Sequence, residues 1–489
     1  MSGDRTAHGD AEPSTLRDGS ALGSSINRQG PLTAFALVVA WSGSEPERLG
    51  ESLMIPTDAD SDRRFVFGRG TVSNGDERLQ LLRVRPGRFD RSAPLNNPWV
   101  SRKQLVFRVE PTREIRIQNI GRCKMQVNGA VTDGAVLRPG DVLGLKNQLL
   151  FYCTLREFSS KSIAVPEPWP QFADADADGI VGESPEVWEV RAQIAFLAAR
   201  SGNVLLLGAS GTGKELVAHA IHRLSARHKK QMLSRNAATF PEGLIDAELF
   251  GNVKDYPNAG MPARPGLIAA ADGSTLFLDE IGELPSELQA HLLRVLDSKG
   301  EYQRLGEAFT RTSDFRLMAA TNRPVEHLKS DLAARFPFRL TLPDLNVRRE
   351  DVPLLARHLL RRAAVKDTGI ARHFFDKERG EPRISPSLIE RLLRQRYTTH
   401  VRELETLLWQ SVATSSGHHL ALTDQVREKL GAVSDAAVAQ PRRGLPSSEE
   451  VRAALERNQG VQERVWRELG LRNRYVLKRL IKKFGLSND

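Results

Sequence analysis

A glycine-rich segment in the middle of the chain has the residues and spacing needed to bind phosphate. Residues Gly208–Glu215 read GASGTGKE, follow the apolar run Val204–Leu207 and open the amphipathic segment Leu216–Leu224. Such a turn between a buried strand and a helix points backbone N–H groups inward, and Lys214 can reach the outer phosphates of a nucleotide. The generic pattern has Ser or Thr after the lysine to hold magnesium, whereas this chain has Glu215. The segment therefore predicts a phosphate-binding loop that departs from the generic pattern at one position.

Two adjacent carboxylates follow a second apolar run. Residues Thr275–Glu280 read TLFLDE, a hydrophobic strand that ends in Asp279 and Glu280. Because a parallel sheet presents the C-terminal ends of its strands to a ligand, we expect both carboxylates beside the phosphates. Asp279 can hold magnesium, and Glu280 can polarise an attacking water. The two segments, in this order, favour a nucleotide site over a strand and turn without a ligand.

The composition predicts a multidomain globular protein with an anionic partner. The chain has 489 residues, enough for about three domains, and its hydrophobic content of 40% and charged content of 27% suit globular cores. The formal net charge of +10 indicates an anionic partner. Cys123 and Cys153 match no metal or redox spacing, so we expect reduced thiols and a cytoplasmic location. The run Leu32–Trp41 is too short to span a bilayer and is interpreted as a strand, so no membrane association is predicted.

Changes in composition and periodicity divide the chain into segments. From the N-terminus they are a disordered arm (1–31), a β-sandwich (32–156), a solvated acidic linker (157–178), an α/β core (179–345), a helical lid (346–432), a second linker (433–447) and a three-helix segment (448–489). The predicted lid helices are Val352–Ala363, Ser385–Gln395 and Val401–Ser415. The fold class is therefore multidomain, with a β-sandwich, a central α/β domain with a helical lid and a C-terminal three-helix domain.

The central motifs resemble a known ATPase family. The chain carries, in order, IVGESP at 180–185, the phosphate loop, NAA at 236–238, AELFG at 247–251, DEIGE at 279–283 and AATNR at 319–323. This succession closely resembles the AAA+ P-loop ATPase domain of the sigma-54-dependent transcriptional activators, and the match continues into the predicted lid. Glu regularly follows the P-loop lysine in that family, so Glu215 agrees with the assignment. The resemblance implies ATP and Mg²⁺ as cofactors and a homo-oligomer, from a dimer to a ring.

The resemblance also implies roles for individual residues. Asp279 would hold magnesium, and Glu280 would activate water. Asn236 matches the residue that keeps the catalytic glutamate inactive until the ring is ready, Asn322 matches the sensor of the γ-phosphate, and Arg402 matches the second sensor, on the lid. The nucleotide-binding residues of the loop itself would be Gly208, Ser210, Gly211, Thr212, Gly213, Lys214 and Glu215.

Two features depart from the family. Its finger across the subunit interface has two arginines, which here are Lys329 and Arg335. Because an ammonium is a poorer partner than a bidentate guanidinium for spread transition-state charge, we expect slower hydrolysis, and an ordinary surface lysine is the alternative for Lys329.

The family's GAFTGA loop, whose tip contacts sigma-54, is replaced by DYPNAG at 255–260. Pro257 and Asn258 replace the contacting Phe and Thr, with Tyr256 one position early, so the loop cannot simply reproduce the same moving tip.

Short motifs in the predicted sandwich resemble a forkhead-associated domain, which binds phosphothreonine. They are FGRG at 67–70, Ser101 and Arg102 with Gln104, and VNG at 127–129. The resemblance implies phosphate contacts from Arg69 and Ser101, with Arg102 in the same motif, because guanidinium and hydroxyl groups donate directed hydrogen bonds. The family's His is Gln104 here, and its Asn-Gly-Thr reads CKM at 123–125. A phosphothreonine protein as partner and a purely structural or docking role both stay open.

The C-terminal segment resembles the Fis-like helix-turn-helix domain that ends these activators. Its predicted helices are Glu449–Arg457, Val461–Leu469 and Arg472–Phe484. The last has an apolar stripe formed by Val476, Leu477, Leu480, Ile481 and Phe484. The predicted DNA-binding residues lie largely off that stripe and are Arg472, Asn473, Arg474, Lys478 and Lys482. The alternative is a basic amphipathic helix that keeps the chain soluble.

These features predict a cytoplasmic DNA-binding transcriptional regulator with a signal-input sandwich. Two hypotheses compete for the ATPase domain. In the first, it is an ATP-driven enzyme that remodels promoter complexes of sigma-54 RNA polymerase. In the second, it is a nucleotide-gated DNA-binding regulator or scaffold that does not engage sigma-54.

Overall fold

The computed structural model describes most of the chain between Leu32 and Leu430 and part of the C-terminal segment. The described ranges are 32–57, 63–71, 77–110, 114–158, 165, 168–240, 244–297, 300–430 and 448–458, with single residues between 465 and 484. One compact unit ends at Gly431 and a second begins at Ala432, and each is described by itself. The predicted disordered arm at 1–31 and the linker at 433–447 lie outside the described residues.

Residues 32–158 form two facing sheets. The strands are β1 (Leu32–Ser42), β2 (Ser52–Pro56), β3 (Arg64–Phe67), β4 (Glu77–Arg78), β5 (Leu82–Arg85), β6 (Arg88–Arg91), β7 (Leu105–Val109), β8 (Ile115–Asn119), β9 (Met125–Val127), β10 (Ala130–Val131), β11 (Gly134–Leu137), β12 (Val142–Leu145) and β13 (Leu149–Phe158). The larger sheet has the order β10-β9-β12-β13-β1-β2-β5-β6, and the smaller one has the order β11-β8-β7-β3-β4.

Both faces of the larger sheet are covered. Phe35, Leu37 and Val39 of β1 alternate into the core between the sheets. On the outer face, Leu150 and Tyr152 of β13 belong to the same apolar core as the lid helices described below. An antiparallel sheet can leave one face in water, but here the lid helices cover part of the outer face of the larger sheet.

Residues 204–341 contain a five-stranded parallel sheet with the order β15-β16-β19-β14-β20. Its strands are β14 (Val204–Leu207), β15 (Leu233–Asn236), β16 (Thr275–Asp279), β19 (Arg316–Thr321) and β20 (Phe338–Thr341), and β17 (Glu301–Tyr302) and β18 (Arg311–Thr312) form a separate hairpin. The helices of this region are α1 (Pro185–Ala198), α2 (Lys214–Leu224), α3 (Ile245–Phe250), α4 (Leu267–Ala270), α5 (Ser286–Asp297) and α6 (Ser330–Ala334).

A helical lid follows the parallel sheet, as predicted. Its helices are α7 (Val352–Lys366), α8 (Thr368–Phe374), α9 (Pro386–Arg394), α10 (His400–Thr414) and α11 (Asp424–Leu430). Ser385 caps α9 by accepting a hydrogen bond from the Leu388 N–H, and Pro386 occupies the first turn, where its missing donor costs nothing. Central ATPase core and lid thus agree with the predicted AAA+ architecture.

The prediction of a solvated acidic linker at 157–178 is wrong for its described second half. Ala173 is buried, and Phe172 packs against the lid core. The aspartates are ion-paired with arginines of the ATPase helices: Asp174 with Arg357 and Arg361, Asp176 with Arg191, and Asp178 with Arg223. The local Ala-Asp pattern did not reveal this because the arginine partners are distant in sequence.

The C-terminal unit has a small apolar core. Helix α12 (Ser448–Arg457) contributes Val451, Ala454 and Leu455, which cluster with Val465, Leu477 and Leu480. The predicted DNA-binding residues Arg472, Asn473, Arg474, Lys478 and Lys482 lie outside the described residues, so the helix-turn-helix stays a prediction. Within the part of the chain that the structure describes, no helix has the length and apolarity to cross a bilayer.

Candidate functional site

The glycine-rich loop connects β14 to α2 in a conformation that requires glycine. Gly208, Gly211 and Gly213 all have positive φ, of 155°, 79° and 99°. Gly213 is the N-cap residue of α2, which begins at Lys214. A Cβ atom at Gly211 would lie 2.2 Å from the carbonyl oxygen of Thr399. Backbone N–H groups at the start of α2 are therefore available to an anion.

Lys214 lies between this loop and the carboxylates of β16. Its Nζ donates to the carbonyl oxygens of Gly208, at 3.0 Å, and Ala209, at 3.3 Å. The same atom is 4.0 Å from Oε1 of Glu280. The tertiary structure thus brings together the lysine and carboxylate that the sequence analysis took from two separate segments.

Glu280 has an unusual backbone conformation. Its φ of 52° and ψ of 45° are left-handed, which costs roughly 1–2 kcal/mol for a residue with a Cβ. The backbone N–H of Glu280 donates to Oδ1 of Asp279 at 3.0 Å, and Oε2 accepts from the backbone N–H of Asn322 at 3.2 Å. The predicted γ-phosphate sensor therefore lies beside the predicted catalytic carboxylate, at the end of the neighbouring strand.

Asn236 ends β15 directly opposite Asp279 of β16. Its side-chain oxygen accepts from the N–H of Ala238 at 2.9 Å and caps a short 3₁₀ turn. Among the hydrogen bonds of the described residues, none joins Asn236 to Glu280. Asn236 therefore lies beside the predicted magnesium ligand, whereas a hydrogen bond to Glu280 is not part of this conformation.

The lid contacts the phosphate loop directly. Nη1 of Arg402 donates to Oγ of Ser210 at 2.7 Å, and the N–H of Val401 donates to the carbonyl oxygen of Gly211 at 3.2 Å. Because α10 begins at His400, the predicted second sensor is held at the loop by the first turn of a lid helix.

A cavity of about 240 Å³ lies between the core and the lid. Residues 210–215, both carboxylates and Arg402 line its polar end, and its apolar end includes Ile180, Val181, Leu355 and Leu359. The apolar end was not predicted from the sequence. The spacing of Leu355, His358, Leu359 and Arg362 along one face of α7 was a usable signal.

Burial, reinforced by Arg362 and Arg361, lowers the pKa of His358, so its imidazole is neutral at neutral pH.

The two predicted finger residues flank α6. Lys329 is exposed and immediately precedes the helix, and Arg335 follows it and pairs with Asp297 at 2.5 Å. Neither contributes to the lining of the nucleotide cavity in the described part of this chain. A role toward a neighbouring subunit stays a prediction.

The loop that replaces the family's sigma-54 contact is closed by hydrogen bonds within the loop. The fully buried Asn252 donates from Nδ2 to the carbonyl oxygens of Val253, Tyr256 and Pro262 at 2.9, 3.2 and 3.0 Å. Asp255 closes a second turn by accepting from the N–H of Gly260 at 2.7 Å.

The same loop is attached to the β17–β18 hairpin. The N–H of Val253 donates to the carbonyl oxygen of Leu305 at 3.1 Å, and the Tyr256 ring lies against Gly306. Tyr256 and Phe309 remain exposed on this surface. The loop and hairpin therefore present an aromatic surface in a braced conformation.

The predicted phosphopeptide residues meet at one end of the sandwich. The N–H of Arg69 donates to the carbonyl oxygen of Ser101 at 3.1 Å, and Oγ of Ser101 accepts from the N–H of Arg122 at 3.0 Å. Arg102 is exposed beside them. The loops that carry Arg69, Ser101 and Arg122 therefore lie beside one another.

Gln104, which replaces the family's His, connects these loops. It is fully buried; its Oε1 accepts from the N–H of Ser101 at 2.9 Å, and its Nε2 donates to Asn119 and to the carbonyl oxygen of Cys123 at 2.7 and 2.8 Å. The replacement therefore still orders the loop that carries Ser101.

Comparison with known proteins gives a consistent family. Residues 180–344 match the sigma-54 interaction domain. The chain is 39% identical to the Nif-specific regulatory protein of Bradyrhizobium diazoefficiens over 51% of this chain and 42% of that protein. It is 33% identical to the transcriptional regulatory protein ZraR of Salmonella typhimurium over 63% of this chain and 69% of that protein.

The chain also matches a further curated protein and a solved structure. The formate hydrogenlyase transcriptional activator FhlA of Escherichia coli is 37% identical over 51% of this chain and 36% of its own length. A crystal structure of NtrX from Brucella abortus in complex with ATP is 26% identical, covering 63% of this chain and 69% of that one, with a TM-score of 0.44. The chain matches less than half the length of two of these relatives.

Proposed function

Because the chain belongs to the family of sigma-54-dependent transcriptional activators, we propose that it is a DNA-binding transcriptional regulator driven by ATP. The observation that carries this proposal is the convergence of Lys214, Glu280 and Arg402 on one cavity. These groups come from the phosphate loop, a β-strand end and the lid. ATP bound there would contact core and lid together, so its binding and hydrolysis would change their relative position.

The residues of the chain supply the steps of hydrolysis. The N–H groups at the start of α2 and the ammonium of Lys214 would bind the phosphates. Glu280, held near the phosphates by its backbone conformation and by the Asn322 N–H, would orient and deprotonate the attacking water. Arg402 would report the state of the phosphates to the lid, because α10 carries it.

The oxygen ligands present fit magnesium. Asp279 and Glu215 both line the polar end of the cavity, and carboxylates are the side chains that magnesium prefers. Asp279 would hold the ion, and Glu215 would lie beside it. The bound ion would neutralise charge on the outer phosphates.

A homo-oligomer would complete the site. Lys329 and Arg335 lie outside the cavity of their own chain, and we propose that they act on the nucleotide of a neighbouring subunit. We propose that the sandwich is a forkhead-associated input domain that binds a phosphothreonine protein through Arg69, Ser101 and Arg102. We further propose that the C-terminal unit is a helix-turn-helix that binds DNA.

ATP turnover by the purified chain across a concentration series tests the enzyme proposal. A specific activity that rises cooperatively with protein concentration, and that is lost in Glu280→Gln while ATP still binds, is expected of a working ring. Tight ATP binding without turnover in either protein would contradict it.

Paired threonine and phosphothreonine peptides test the input domain, with Arg69→Ala as the variant, and equal affinities for the two peptides would refute phosphate recognition.

A second candidate function is supported by the braced loop at 252–264. Asn252 and the β17–β18 hairpin hold this loop in place, which favours a nucleotide-gated regulator or scaffold that does not engage sigma-54. Addition of sigma-54 RNA polymerase to the turnover assay distinguishes the two functions. Stimulated turnover and promoter opening favour the remodelling enzyme, and unchanged turnover favours the gated regulator.

A further inference from the structure

The β-sandwich is attached to the wall of the nucleotide cavity by a buried ion pair. Arg85 of β5 makes a two-pronged contact with Glu183: Nη2 donates to Oε1 at 2.5 Å, and Nε donates to Oε2 at 3.0 Å. The two side chains are only 11% and 3% exposed. Planar two-pronged pairing of this kind is specific to arginine.

Both partners are otherwise well satisfied. Nη1 of Arg85 donates to the carbonyl oxygen of Pro170 at 2.9 Å, and its guanidinium lies 5.1 to 6.0 Å from the ring centres of Trp188, Phe172 and Trp169. Glu183 also accepts from the N–H of Ala173 at 2.8 Å and from the indole N–H of Trp188 at 3.0 Å. Arg85 is thus the charged partner of a carboxylate whose other donors are neutral.

Glu183 belongs to the segment that forms the apolar end of the cavity. Ile180 and Val181, just before it, line that end. The main chain around Glu183 is held by one residue of α1 and by the residue that precedes α7. Arg191 of α1 donates to the carbonyl oxygens of Ile180 and Gly182. Asp351, just before α7, accepts from the N–H groups of Glu183 and Ser184. The side chain of Glu183 adds a further anchor, and its charged partner Arg85 comes from the sandwich.

A second contact from the sandwich reaches the same region. Arg156 of β13 pairs with Glu350 at 2.8 Å, and both side chains are buried. Glu350 immediately precedes Asp351, the residue that accepts from the Glu183 and Ser184 N–H groups. Two strands of the sandwich, β5 and β13, therefore contact Glu183 and the neighbour of the Asp351 that holds the main chain at Glu183 and Ser184.

We propose that Arg85 is a positioning residue for the nucleotide, acting through Glu183 to hold residues 179–184 as the wall against which the base packs. This inference rests on the proposed binding of ATP. The phosphates belong at the polar end, beside Lys214, so the apolar end is left for the base. Without Arg85, the Glu183 carboxylate would sit in a buried position without its positive partner. It would move toward water or take up a proton, and the wall would move with it.

The experiment compares two ligands that occupy different parts of the cavity. Affinities for ATP and for inorganic tripolyphosphate, which lacks a base, are measured by calorimetry on the full-length wild type and on Arg85→Ala. We expect ATP affinity to fall about tenfold, a typical coupling between linked sites, and tripolyphosphate affinity to stay within twofold. Arg88→Ala is the matched control, because Arg88 lies on the neighbouring strand β6 and pairs with the exposed Asp90 of the same strand; it should leave both affinities unchanged.

A variant that fails to fold is distinguished from one with a displaced wall by circular dichroism and thermal melting. Arg85→Lys, which keeps the charge beside Glu183 but not the two-pronged contact, should fold and show a smaller loss of ATP affinity. ATP affinity within twofold of wild type in both Arg85 variants, or an equal loss of ATP and tripolyphosphate, would overturn the inference. A wild type that binds neither ligand would instead overturn the proposed function.

Discussion

The side chain of Asn252 should control how often the loop at 252–264 opens. Its amide group donates to three carbonyl oxygens, but it has two hydrogens, so it supplies the equivalent of two full hydrogen bonds. At about 1 kcal/mol net for each bond, Asn252→Ala should destabilise the closed loop by about 2 kcal/mol. The population of the open loop should therefore rise about 30-fold, since 1.4 kcal/mol corresponds to a factor of ten.

Limited trypsin digestion measures this change directly. Lys254 is exposed and lies inside the loop, where cleavage requires local opening. When closing is faster than cleavage, the rate follows the open population, so the peptide that ends at Lys254 should appear about 30-fold faster in Asn252→Ala. Asn258→Ala is the control, because it makes the same chemical change at an exposed position of the same loop. Cleavage of Asn252→Ala within twofold of wild type would refute the view that this side chain braces the loop.

Three further predictions concern the lid, the finger and the phosphate loop. Burial raises the pKa of Asp351 from 3.8 to about 6, so its contribution to stability is full below about pH 4 and is lost as the pH rises through 6. Asp351→Asn should therefore remove about 3 kcal/mol of the pH dependence of the unfolding free energy. Urea unfolding of both proteins between pH 4 and 8 measures this change, and matching pH profiles would contradict the prediction. Lys329→Arg should raise kcat at ring-forming concentrations without changing ATP affinity, and an unchanged kcat would count against a finger role. Gly211→Ala should weaken ATP binding at least about tenfold, because its Cβ would lie 2.2 Å from the Thr399 carbonyl oxygen and push the lid away. Calorimetric titration with ATP measures the affinity. An affinity equal to that of the wild type would show that ATP binding does not require this contact between the loop and the lid.

The sequence by itself determined the parts of the site that depend on local stereochemistry. An apolar run followed by GASGTGKE specifies a strand, a turn with positive φ at its glycines and a helix beginning at Lys214, and the structure has all three. The apolar run before Asp279 specifies a buried strand ending in carboxylates. Helical periodicity placed α7, α9 and α10 of the lid to within a few residues, but it did not predict α8 or α11. These features follow from neighbours along the chain, so they were predictable.

Only the tertiary structure decided how the sandwich, linker and ATPase core are joined. Arg85 and Glu183 are 98 positions apart, and Arg156 and Glu350 are 194 apart; nothing in either local pattern identifies its partner. The acidic stretch before Ile180 has the composition of a solvated linker, yet its aspartates pair with helix arginines. Asn252 and Gln104 likewise have structural roles that depend on carbonyl groups, such as those of Pro262 and Cys123, which only the folded chain brings to them. Pairing of buried charges and amides depends on three-dimensional proximity, which residue type and spacing alone do not encode.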